Sequence, residues 1–123
     1  MITGEIASTR EIVVPLILIC VDGDEQSLHA VIDTGFDSFL SLPPHIVASL
    51  SLRQVGVVHV TLGDGSEAAL PKYRVRIVWD GQERNVPVYE AEGDPLIGMM
   101  LLYGFDFHVH VVDGGMVALN RLP

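Results

Sequence analysis

Polar and apolar residues alternate along much of the chain. In Tyr73-Arg74-Val75-Arg76-Ile77 the arginines share one face and the apolar side chains the other. In Phe105-Asp106-Phe107-His108-Val109-His110-Val111 the polar residues again fall on every second position. A period of two belongs to half-buried strands. The runs are separated by Asp22-Gly23-Asp24, Gly63-Asp64-Gly65, Asp80-Gly81 and Asp113-Gly114-Gly115, which supply the positive φ that tight hairpins need. The pattern predicts strands over Ile2–Ser8, Glu11–Val21, Ser27–Asp33, Val55–Leu62, Glu67–Trp79, Glu83–Ala91, Phe105–Val112 and Met116–Arg121. Two segments read as helical. Pro43–Leu50 opens on prolines, whose missing N–H is harmless in a first turn, and Gly98–Leu102 makes a turn or two. The expectation is an all-β fold with one or two short helices, in a single domain over residues 1–123.

Composition narrows the partners. The 17 valines and 9 isoleucines suit pleated sheets, and 49% hydrophobic content against 19% charged argues against disorder. Seven Lys and Arg against 16 Asp and Glu leave a net charge of −9, so no nucleic-acid or anionic-membrane partner is expected. The longest apolar run, Ile12–Val21, is interrupted by Pro15 and is half the length a membrane helix needs. Glu5, Arg10 and Glu11 precede it instead of a basic leader, so a cytoplasmic location is expected. The single cysteine, Cys20, reads as a small buried hydrophobe.

Candidate chemistry concentrates in Val31-Ile32-Asp33-Thr34-Gly35-Phe36-Asp37-Ser38. An apolar strand runs directly into a carboxylate, then a hydroxyl residue and a glycine. Burial and hydrogen bonding set the properties of a carboxyl at the end of a core strand. Gly35 allows the backbone to turn and approach closely, and Thr34 can bond across to neighbouring backbone.

This segment resembles the active-site segment of the retropepsin-like aspartic proteases, which carry one Asp-Thr-Gly per chain. Three further features follow in the family's order. They are the short helix Pro44–Leu50, a long hairpin with the flap-like tip Leu62-Gly63-Asp64-Gly65-Ser66, and Pro95-Leu96-Ile97-Gly98 leading into a second short helix. The closing hairpin Phe105–Arg121 is also similar, so the resemblance covers about Pro15 to Leu119. Retroviral members usually have a small residue after the glycine. Phe36 resembles instead the bacterial and archaeal branch with Asp-Thr-Gly-Phe.

The resemblance implies a closed, barrel-like acid-protease lobe, one per chain, and an aspartic endopeptidase that hydrolyses peptide or protein substrates. Asp33 would supply the catalytic carboxylate, and Thr34 and Gly35 would brace its loop. Phe36, Asp37, Gly63, Asp64, Gly65 and Ser66 would meet substrate. That chemistry uses two carboxylates sharing a proton and an attacking water, so no metal or organic cofactor is implied. No other Asp is followed by Thr-Gly or Ser-Gly, so the pair would come from Asp33 of two chains related by a two-fold axis. The terminal segments Met1–Ser8 and Met116–Pro123 would either pair between subunits or cap their own sheet. The alternative is a non-catalytic peptide-binding or dimerisation module on the same fold.

Other constellations are weaker. His108 and His110 share a strand face but lack a third ligand, and reading them as a solvated face is simpler. His29, His45 and His59 are scattered. Asp22-Gly23-Asp24-Glu25 lacks the spacing of a calcium loop and reads as a turn.

Overall fold

The computed structural model describes all 123 residues. Ten strands and two short helices follow one another as β1 (Ile2–Ile6), β2 (Ile12–Ile19), β3 (Glu25–Ile32), β4 (Leu40–Leu42), α1 (Pro44–Ser49), β5 (Gly56–Thr61), β6 (Glu67–Trp79), β7 (Gln82–Glu90), β8 (Leu96–Ile97), α2 (Met99–Leu102), β9 (Phe105–Val109) and β10 (Met116–Arg121). The all-β expectation holds. Both helices are where the prolines and the apolar Met99–Leu102 run place them, each without a side-chain cap.

All ten strands join one mixed sheet in the order β5-β6-β7-β4-β8-β3-β2-β1-β10-β9. A further β2–β6 pairing closes a ring through β6, β7, β4, β8, β3 and β2. Pro15 sits where β2 changes partner. On one edge, β2 pairs with β1 at Ile12 and Val13, then with β6 at Ile17 to Ile19. Pro15 lies in the gap between those ladders, where a residue without an N–H leaves no bond unmade. The two partner strands diverge there and open a surface cavity of about 490 Å³ lined by Pro15, Ile17, Val78 and Trp79 among others.

The ring encloses the core. Val14, Leu16 and Leu18 from β2, Val75, Ile77 and Trp79 from β6, and Val86 and Val88 from β7 are fully buried beside Leu40, Leu42, Ile97 and Leu101. In β6 the outward Arg74 and Arg76 alternate with these core residues, as the sequence pattern requires. Arg74 is held by Asn85 across the ladder. The β6–β7 turn is the two-residue loop Asp80-Gly81, with φ of 52° and 75°, the backbone that favours glycine and aspartate in hairpins. Asp80 is bonded by Arg121 and by the Met1 ammonium, and that ammonium is the main reason its carboxyl titrates below the ordinary range.

Two expectations need correction. Strand β9 ends at Val109 rather than Val112, because Gly115 N–H donates to the Val112 carbonyl and Val112 N–H to that of His110, curling the chain into a turn. Val111 and Val112 are therefore exposed. The second correction concerns Leu40–Leu42 and Leu96–Ile97, which are strands although they are too short to show alternation. Of the two arrangements open for the terminal segments, this chain shows them capping its own sheet, with β1 between β10 and β2 and β9 at one sheet edge.

Candidate active site

Asp33 follows the last residue of β3. Strands β3 and β8 run parallel there, and Asp33 N–H donates to the Ile97 carbonyl at 2.9 Å. That bond fixes the backbone from which the carboxylate projects. Asp33 Oδ1 accepts the Gly35 N–H at 2.9 Å, and the Phe36 N–H returns to the Asp33 carbonyl at 3.1 Å. The loop is thus a tight turn built around the carboxyl itself. Asp33 is half-buried, whereas Thr34 and Gly35 are exposed.

Gly35 fills its expected role and Thr34 does not. Gly35 is not among the glycines with positive φ, so its value lies in close approach: a Cβ there would stand 3.3 Å from Asp33 Oδ1. Thr34 makes no side-chain hydrogen bond within the chain, so the bracing bond expected of it is absent from this loop.

Helix α2 holds the loop from behind. Gly98 N–H donates to the Phe39 carbonyl at 3.0 Å, Met99 N–H to that of Phe36 at 2.8 Å, and Met100 N–H to that of Ser38 at 3.0 Å. Gly98 is the residue this packing depends on. A Cβ there would fall inside contact distance of the Phe36 and Ser38 carbonyl oxygens, both backbone atoms that cannot swing away. The helix is tied in turn to the barrel end, since buried Trp79 donates its indole N–H to the Leu101 carbonyl at 3.0 Å.

Opposite the loop stands the β5–β6 hairpin. Val58 pairs with Leu70 and Val60 with Ala68 on its half-buried face; His59 with Ala69 and Thr61 with Glu67 occupy the exposed face. Between hairpin and loop lies a cleft of about 420 Å³, lined by Gly35, Phe36, Asp37, Val58, His59, Val60, Thr61 and Tyr89. Phe36 and Tyr89 meet edge to face with centroids 6.1 Å apart, forming an aromatic wall.

The expected site residues therefore divide. Asp33, Thr34, Gly35, Phe36 and Asp37 form one continuous loop, and three of them line the cleft. Gly63, Asp64, Gly65 and Ser66 form the hairpin tip, all exposed, and do not line it; the hairpin stem does. The tip is ordered by Asp64, whose Oδ1 accepts from both the backbone N–H and the hydroxyl of Ser66. Those bonds hold its carboxyl below the usual range. His59 and Tyr89 were not singled out from sequence. His59 falls in the strand expected over Val55–Leu62, and Tyr89 in β7, which β4 and β6 flank. His108 and His110 are exposed, and no three His, Cys, Asp or Glu side chains come together anywhere as a potential metal site.

Comparison with known proteins agrees with this architecture. The chain is similar to the crystal structure of a retropepsin-like aspartic protease from Rickettsia conorii, with a TM-score of 0.62 and 16% identity over 97% of this chain and 88% of that one. At that identity the likeness shows the fold, which is the retropepsin-like one. No family model matches the sequence, and no curated protein matches it. No helix is long and apolar enough to cross a membrane.

Proposed function

We propose that the chain is an aspartic endopeptidase that works as a homodimer, one Asp33 from each subunit forming the catalytic pair. The observation that carries this reading is the Asp33 turn itself. A half-buried carboxylate is fixed at a strand end by the Gly35 N–H, and the next residues of its loop, Gly35, Phe36 and Asp37, line a cleft beneath the β5–β6 hairpin.

Two such loops brought together by a two-fold axis would place like carboxyls in contact, where only one can ionise. The ionised member takes the proton of an attacking water while the protonated member donates to the scissile carbonyl. The exposed Thr34, with no bond in its own chain, is available to the facing loop. The half-buried Val58–Val60 face of the hairpin would cover an extended peptide, and the exposed tip would close over it. Phe36 is in keeping with the bacterial and archaeal Asp-Thr-Gly-Phe branch.

The test is digestion of a diverse peptide mixture by the natural chain and by Asp33→Asn across acid to neutral pH, with mass spectrometry of products and light scattering of both proteins. We expect internal cuts lowered by about 10³-fold or more in a still-dimeric variant. The natural chain should show a bell-shaped pH profile, because the pair works with one proton shared. A well-folded dimer that cuts nothing would turn the assignment toward a peptide-binding module.

A further inference from the structure

The two walls of the cleft carry charge of one sign. From Ile32 to Leu52 the chain contains Asp33 and Asp37 but no Lys or Arg, and from Gln54 to Pro71 it contains Asp64 and Glu67 but again no Lys or Arg. These are the segments that face each other across the cleft. Asp37 lines it, is exposed, and enters none of the chain's ion pairs. Beside it stands the Phe36–Tyr89 aromatic wall.

A carboxylate without a cation, next to an aromatic pair, is the chemistry that recognises an ammonium or guanidinium. The other ionisable groups nearby do not fill that role. His59 lines the same cleft from the hairpin. Lys72 sits opposite Tyr89 in the ladder, at the hairpin root, and does not line the cleft. Arg84 is engaged over the Phe39 ring, 6.0 Å from its centroid. Arg53 lies ahead of β5, outside the lining.

We propose that this cleft selects a basic side chain, Arg or Lys, in the bound peptide, with Asp37 as the specificity-determining residue. The inference rests on the peptide-binding reading above. In a two-fold dimer each subunit presents one such cleft, so basic residues are favoured on both sides of the scissile bond.

The experiment compares octapeptides identical except for Arg, Gln or Glu at each position in turn. An exposed ion pair with an aromatic contact supports a preference for Arg over Gln of about tenfold in kcat/KM, with Glu poorest. Raising salt should shrink that ratio, and Asp37→Asn should bring it close to one. Asp113→Asn removes the same charge from a distant turn and should leave the ratio alone. A ratio near one in the natural chain overturns the inference while leaving the endopeptidase intact. A tenfold ratio that survives Asp37→Asn also overturns it. If no peptide is cut, fluorescence anisotropy of the labelled Arg and Gln peptides on Asp33→Asn decides. Tighter binding of the Arg peptide upholds the cleft assignment and removes the protease, whereas equal or absent binding rejects the cleft assignment.

Discussion

Along β6, Val75, Ile77 and Trp79 are buried, yet in the same strand no residue from Glu67 to Lys72 is. The C-terminal half pairs with β7 and β2 and lies inside the ring; the N-terminal half pairs chiefly with β5, an edge strand without a single fully buried residue. Glu67–Pro71 is paired on one edge alone, whereas Arg76–Val78 is paired on two. Apolar area removed from water, which supplies most of the stabilisation, differs in the same sense. One continuous strand is therefore a rigid wall at one end and a weakly held arm at the other, and the cleft lies between arm and wall. Local stability is expected to fall along the strand in the same direction.

The sharpest test of this contrast is Trp79→Ala. It removes a fully buried indole and the hydrogen bond to Leu101, and should destabilise the protein by about 3–5 kcal/mol in urea unfolding. Because Leu101 belongs to α2, the variant should also loosen the Asp33 loop, visible as faster amide exchange at Gly35 and Phe36. Gly98→Ala acts on the same clamp from the other side, pressing a methyl group onto two carbonyl oxygens; about 1–3 kcal/mol is expected. By contrast Val60→Ala, on the arm, should change global stability by less than about 1 kcal/mol. A larger loss would show that the arm is packed as firmly as the wall.

The smallest effect concerns the tip. Asp64 titrates below its ordinary value in the folded turn, so its contribution is fully present at neutral pH. It declines as pH falls below the ordinary carboxylate value, where the open turn takes up its proton, and is gone below the lowered value. Amide exchange at Gly65 and Ser66, corrected for its intrinsic pH dependence, should quicken across that window. Asp64→Asn should remove the pH dependence without moving the unfolding midpoint measurably.

Much of this architecture was legible in the residues. The four Gly-containing turns adopt positive φ at Gly23, Gly65, Gly81 and Gly114, and β6 and β10 have the boundaries their alternation implied. Asp33 stands where an apolar strand ends on a carboxylate and a glycine. Turn conformation and strand alternation depend on a few consecutive residues, and so can be read locally.

The remainder depended on distant parts of the chain. Leu40–Leu42 and Leu96–Ile97 become strands only because β7 and β3 offer them partners far away in sequence. Val111 and Val112 look like strand residues but are released by a turn. Tyr89 and His59 come together at one cleft although nothing in their neighbours marks either. The choice of terminal partner, β1 with β10 in the same chain, is likewise a long-range event. Short-range chemistry settles φ, ψ and which face a residue takes, whereas pairing, closure and the contents of a cleft are decided by burial shared among segments tens of residues apart.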